Sequence, residues 1–313
     1  MNRRIFLGLT TALAILPLSA FAQDKLPVVA SFSILGDMVA EVGGDRVAVT
    51  MLVGPDGDAH VYSPTPADAQ TVAAAKVVFV NGLGFEGWLD RLIEASEYKG
   101  TVVVATDGIK PLEMAKEGHD HAEGESHDHG HDHSHDHGGT DPHAWQSIDN
   151  AKIYVSNIAQ ALIAADPAGE EAYSANAIAY LAELSGLDAE IQAAMIGLPE
   201  NRRSVVTSHD AFGYYAAAYG MTFHAPEGLS TESEVSAADV ASLITQMKDE
   251  AIPAVFMENI TDGRLLEQIT AETGAKIGGT LFSDALSGPD GPAGTYLNMM
   301  RHNTTTLTTA LAE

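Results

Sequence analysis

The 313-residue chain reads as an α/β protein of two similar lobes with mostly parallel sheets, joined by one long rigid helix. Three observations predict this class. Short β-branched runs alternate with helical patterns over residues 27–165, and the same alternation returns over residues 199–311. That pattern implies βαβ units and parallel strands. Between the two blocks the pattern stays helical from Asp166 to about Leu198, rich in Ala, Glu and Leu. A helix of that length spans roughly 40–45 Å, long for a single domain and suited to linking two lobes. The chain length is ample for two domains with a real core. The blocks are alike in architecture, but no sequence repeat relates them.

Residues 1–22 read as a signal peptide. Arg3 and Arg4 form a basic start, Ile5 to Leu18 is apolar but too short to span a bilayer, and Ala20-Phe21-Ala22 is a cleavage site. Arg3-Arg4-Ile5-Phe6-Leu7 also resembles a twin-arginine export signal, with Asn2 where Ser or Thr is more usual. The N-terminal lobe then takes residues 23–165. Its expected strands are Pro27–Phe32, Val47–Val53, Val77–Asn81 and Val102–Ala105. Its expected helices are Ile34–Val42, Asp68–Ala75, Phe85–Ala95 and Asn150–Ala165. Residues 117–140 break the pattern. They are His, Asp, Gly and Ser with almost nothing apolar, so a disordered loop is expected there. Asp166-Pro167 is a helix-start signal for the linking helix, residues 166–198. The C-terminal lobe takes residues 199–313. Its strands are expected at Ser204–Ser208, Met221–His224, Ala254–Met257 and Lys276–Leu281, and its helices at Phe212–Tyr219, Ala237–Glu250, Arg264–Thr273 and Gly294–Leu311.

Composition narrows the function. There is no cysteine, which removes disulfides, thiolate metal sites, Cys nucleophiles and the usual point of lipid attachment. A freely soluble, monomeric periplasmic protein without a lipid anchor is therefore expected. Lys and Arg number 16 against 43 Asp and Glu, a formal charge of −27. Such a surface repels nucleic acid and anionic lipid and attracts cations, although solubility alone is the commoner reason for acidity.

Histidine is the most informative residue. Eight of the 13 lie in one low-complexity run: His119, His121, His127, His129, His131, His133, His135 and His137. Neutral imidazole is the commonest protein ligand for zinc-class metals, so this run reads as a secondary metal-capturing loop. Three of the remaining five sit in chemically unusual loops. His60 lies in a Gly/Pro-dense loop after a strand, Gly54-Pro55-Asp56-Gly57-Asp58-Ala59-His60. His143 lies in Asp141-Pro142-His143-Ala144-Trp145, and His209 follows a strand in Ser208-His209-Asp210-Ala211-Phe212. A fourth loop, Leu281-Phe282-Ser283-Asp284-Ala285-Leu286-Ser287, places Asp284 after another strand. Ligands of open α/β sheets bind outside the carboxyl ends of strands. Two candidates precede the linking helix and two follow it, so a site using all four lies between the lobes. Singly, each has a duller reading, a solvated loop histidine or an aspartate capping a helix; the set carries the weight. His224 reads as a strand or loop residue and His302 as an exposed position on the last helix.

These motifs, in this order, resemble the zinc-specific solute-binding proteins of ABC importers, the cluster A-I group that also contains manganese binders. The resemblance covers essentially the whole mature chain. It implies two α/β lobes joined by a rigid helix, one metal in the cleft, and His60, His143, His209 and Asp284 as its ligands. It also implies a membrane permease as partner, with a periplasmic zinc chaperone as a further one. Members commonly carry Pro before the first ligand, where this chain has Ala59. Manganese-type members usually carry a carboxylate at the third position, and His209 there favours Zn²⁺. No H-E-x-x-H or G-x-S-x-G motif appears, so an enzyme is not expected. The competing readings are a periplasmic zinc buffer or chaperone without an importer, and a manganese-type solute-binding protein. With imidazole pKa values near ~6.5, metal affinity should fall between about pH 7 and about pH 5.

Overall fold

The computed structural model describes residues 24–113, 139–232 and 235–312. The expected signal peptide and all eight histidines of the low-complexity run lie outside the described residues. An antiparallel bridge between Glu113 and Thr140 brings together the two ends of the chain that flank that run.

Each lobe is built on a four-stranded parallel sheet. In the N-terminal lobe the strands are β1 (Leu26–Phe32), β2 (Val47–Val53), β3 (Val77–Val80) and β4 (Thr101–Val104), in the order β2-β1-β3-β4. In the C-terminal lobe they are β5 (Ser204–Val206), β6 (Thr222–His224), β7 (Ala254–Glu258) and β8 (Lys276–Leu281), in the order β6-β5-β7-β8. The two orders are the same topology used twice. Parallel pairing requires crossovers, and the helices supply most of them. They are α1 (Ser33–Gly43), α2 (Pro66–Ala74) and α3 (Leu89–Ala95) in the first lobe, with α6 (Gly213–Tyr219), α7 (Ala237–Asp249) and α8 (Arg264–Thr273) in the second. The chain closes with α9 (Tyr296–Ala312), after α4 (Ile148–Ala165) and the linking helix α5 (Glu170–Ile196).

Local chemistry explains the boundaries. Helix α2 starts two residues before the expected Asp68 because Thr65 and Asp68 form a reciprocal capping box with Pro66 in the first turn. Helix α3 is shorter than expected. Residues 85–88 are not helical: Leu83 and Gly84 turn the backbone through positive φ, and Glu86 points inward. Its Oε1 accepts from Ser31 Oγ and the Asn81 N–H, both at 2.6 Å. Satisfying a buried carboxylate outweighs one more helical turn.

Helix α5 has 27 residues and buries one stripe: Tyr173, Ala177, Tyr180, Leu184, Leu187, Ile191 and Met195. At 1.5 Å per residue it is about 40 Å long. It packs on α4, α1 and α9. The main apolar core is continuous across the molecule. It joins Phe32, Leu35 and Trp145 of the first lobe to Phe256, Leu286, Tyr296 and Met300 of the second. A smaller cluster lies between Val206 and Val255 of the second sheet and helices α7 and α8. Among the described residues no helix is long and apolar enough to cross a membrane.

Candidate metal centre

The loops leaving the carboxyl ends of the strands meet between the lobes. After β2, Asp58 sets the turn that presents His60. Its Oδ1 accepts from the His60 N–H at 2.8 Å, and its Oδ2 accepts from Thr231 Oγ1 of the second lobe at 2.6 Å. Trp88 Nε1 donates to the Ala59 carbonyl at 2.8 Å and holds the loop from behind. After β3, Asn81 Nδ2 donates to the Pro142 carbonyl at 2.8 Å, fixing the Asp-Pro-His turn to the first sheet. Asp141 Oδ1 lies 2.9 Å from the His143 backbone N and 2.8 Å from His143 Nδ1.

His209 stands three residues past β5. The N–H groups of Ser208 and His209 donate to Glu258 Oε1 at 2.7 and 3.0 Å. Glu258 Oε2 lies 2.7 Å from His209 Nδ1, close but out of hydrogen-bond alignment. Asp284 stands three residues past β8. The preceding Phe282 is clamped by Asn303 of α9, which accepts from its N–H at 2.9 Å and donates to its carbonyl at 2.7 Å.

The four side chains converge. One donor atom from each of His60, His143, His209 and Asp284 lies within 4.8 Å of the others. His60 Nε2 is 3.3 Å from His143 Nε2 and 3.1 Å from Asp284 Oδ2. His209 Nε2 is 3.1 Å from Asp284 Oδ2, and His143 Nε2 is 3.7 Å from Asp284 Oδ1. The His60 side chain is 4 % exposed and the other three are fully buried. Asp284 Oδ1 has no hydrogen-bond partner. Phe32, Phe85 and Trp145 form an aromatic floor, with Phe85 4.8 Å from the His60 ring and Trp145 5.3 Å from the His143 ring. The donors are closed off from solvent. An open groove of about 770 Å³ lies elsewhere, between α2 and α3, lined by Tyr62, Trp88 and Leu92.

Burial in such a place disfavours charge. It pulls His143 down, but the carboxylates of Asp284 and Asp141 more than reverse this and raise it to about 9. Burial likewise opposes charge on His209, and Glu258 and Asp284 push its pKa well above the ordinary value. Burial pushes Asp284 up, yet His209 and His143 hold it well below the usual carboxylate range. At both histidines the neighbouring carboxylates favour positive charge.

Among the described residues, the other two histidines lie outside this cluster. His224 ends β6, with Ser204 Oγ at 3.0 Å. His302 is half-buried rather than exposed, because its ring packs on Phe282 and its Nε2 meets the Thr280 carbonyl at 3.0 Å. Sequence reasoning missed Glu258. Its only signal was a carboxylate at the last position of a strand, the same rule that marks Asp284.

A family model described as zinc-uptake complex component A, periplasmic (ZnuA), matches residues 28–310. The chain belongs to this family. The ZnuA family comprises periplasmic metal-binding proteins of ABC importers that act with a membrane permease and an ATPase, and it is a family of transport proteins. The manganese-binding lipoprotein MntA of Halalkalibacterium halodurans is 34 % identical over 291 residues, covering 93 % of this chain and 90 % of that one. The iron-binding protein YfeA of Yersinia pestis is 32 % identical, covering 90 % of this chain and 85 % of its own. The periplasmic zinc-binding protein TroA of Treponema pallidum superposes with a TM-score of 0.82 at 28 % identity, covering 93 % of this chain and all of that one. The ZnuA family fold of two parallel-sheet lobes on a linking helix is thus the fold seen here. The relatives are named for manganese, iron and zinc.

Proposed function

We propose that the chain captures Zn²⁺ in the periplasm through His60, His143, His209 and Asp284 and delivers it to an ABC permease for uptake. The observation that carries this reading is the donor set, three imidazole nitrogens and one carboxylate, buried together between the lobes. Zinc–nitrogen bonds of ~2.0–2.1 Å in tetrahedral geometry put donor atoms about 3.3 Å apart. Four of the donor separations, 3.1 to 3.7 Å, lie around that value, and all four donors fall within 4.8 Å of one another. The imidazole at position 209 supports zinc over manganese, because hard Mn²⁺ prefers oxygen. The carboxylates behind His143 and His209 orient their rings and raise their basicity, the usual outer shell of a zinc histidine. Family membership supports the importer over a free-standing zinc buffer.

The second reading is a manganese- or iron-type protein, favoured by the names of relatives at 32–34 % identity. Competition titration of the stripped protein against a chelator, with Zn²⁺ and with Mn²⁺, decides between them. One tight zinc per chain, bound more strongly than manganese, is expected; manganese binding as tightly as zinc contradicts the proposal.

Three further elements belong to this reading. The histidines at 119, 121, 127, 129, 131, 133, 135 and 137 capture additional metal weakly, since ordering such a segment costs conformational entropy. Deleting residues 117–139 then lowers metal stoichiometry and leaves one tight site. The protein acts as a monomer and accepts metal from a periplasmic chaperone as well as from solution. Several relatives are named lipoproteins, whereas these 313 residues hold no cysteine to take a thioether-linked lipid. Release into the soluble periplasmic fraction tests that difference.

A further inference from the structure

Asp284 belongs to the second lobe by sequence, and Asn303 and Asn259 bond its loop there, but the loop is also hydrogen-bonded to the first lobe. The Ser283 carbonyl, in the peptide that leads into Asp284, accepts from Trp145 Nε1 at 2.9 Å and from Gln146 Nε2 at 2.8 Å. Two residues beyond Asp284, the Leu286 N–H donates to Ser33 Oγ at 2.9 Å, and the Leu286 carbonyl accepts from the Asp56 N–H at 2.8 Å. The start of α9 is held the same way. The Tyr296 N–H donates to Asp37 of α1 at 2.8 Å, and Tyr296 Oη donates to the Trp145 carbonyl at 2.6 Å. The His209 loop differs. Its backbone hydrogen bonds go to Glu258, His224, Glu227 and Gly228, all in the second lobe.

We infer that Gln146 and Trp145 are positioning residues for Asp284: their convergent hydrogen bonds to the Ser283 carbonyl make Asp284 part of the N-terminal wall of the site. The mechanics are direct. Fixing the plane of the 283–284 peptide fixes the direction in which the Asp284 side chain leaves the backbone. Gln146 and Trp145 are fully buried, so no water replaces their donors cheaply. His60, His143 and Asp284 then form a three-donor half-site on one wall. His209, with Glu258 behind it, is the donor carried on the other.

This inference rests on the metal-binding reading above, and one double-mutant cycle tests both separately. Zinc affinity is measured by chelator competition for the full mature chain and for Gln146→Met, Asp284→Asn and the pair together. Gln146→Met keeps the side-chain length and removes the donor. It should weaken zinc binding by about 10- to 100-fold in the wild-type background, the range typical of outer-shell partners. In the Asp284→Asn background it should change almost nothing, because the group it positions is already lost. Equal losses in both backgrounds overturn the inference and leave Gln146 a packing residue. No loss in the wild-type background overturns it as well. An Asp284→Asn variant that binds like wild type sinks the ligand assignment instead. Trp145→Phe, which keeps an aromatic ring and removes only the indole donor, runs the same cycle if Gln146→Met does not fold.

Discussion

On the N-terminal wall of the cleft, His143 is backed by Asp141, two residues away in the same turn. On the C-terminal wall, His209 is backed by Glu258, 49 residues away on another strand. The chemistry is the same, a buried imidazole with a carboxylate at Nδ1, but the construction differs. The Asp141 carboxylate bonds His143 within its own turn, at the backbone N–H and at Nδ1. Glu258 holds the backbone of Ser208 and His209 with one oxygen and faces the ring with the other. One outer carboxylate acts within its own turn and the other through the tertiary fold. The C-terminal wall should therefore depend more on its outer carboxylate.

The largest effects come from the donors themselves. His143→Ala and His209→Ala should each lower zinc affinity by more than about 100-fold, beyond the range of outer-shell changes. Isothermal or chelator titration reads this, and a His209→Ala variant that binds like wild type breaks the assignment on the second wall. Next come the outer carboxylates. Glu258→Gln and Asp141→Asn should fall within about 10- to 100-fold losses, with Glu258→Gln the larger. If Asp141→Asn costs more, the contrast between a local and a tertiary carboxylate is wrong.

The pH dependence is smaller per unit but sharper as a diagnosis. Ordinary imidazoles would place the change between about pH 7 and about pH 5. The carboxylates around His143 raise it to about 9 and move His209 upward too, so the window shifts up. Metal must displace those protons, and zinc affinity should keep rising from about pH 6.5 to about pH 9. The metal-free protein should do the opposite. A histidine whose folded pKa is raised contributes stability that is fully present below its unfolded value and lost as pH rises through its folded one. The thermal midpoint of the stripped protein should therefore decline over the same interval in which affinity climbs. Parallel rather than opposite trends contradict this electrostatic account.

Much of this is legible in the sequence. The alternation of strand and helix patterns gave both sheets, because parallel strands bury both faces and leave short β-branched runs. His60, His209 and Asp284 stood out because strand-end loops are where such folds bind ligands, and His143 because it sits in a turn between Pro142 and Trp145. What was hidden depends on distance along the chain. Asp141 could be seen beside His143, but nothing in Met257-Glu258-Asn259 says which imidazole Glu258 faces. Nor does Ser283 show that its carbonyl is taken by Trp145 and Gln146 from the other lobe. The loss of the first turn of α3 has the same origin, since Glu86 serves Ser31 and Asn81 rather than a helical face. The continuous core was also illegible, because α9 packs on β8 of its own sheet and also reaches α5 and α1.

The most direct test of the four-donor site is a zinc-loaded crystal measured on both sides of the zinc absorption edge. One strong anomalous peak should appear between the lobes, about 2.0–2.1 Å from an Nε2 of each of His60, His143 and His209 and about 2.0–2.2 Å from an Asp284 oxygen. A peak bound by any other set of residues, or none in the cleft while the protein holds zinc elsewhere, would contradict it.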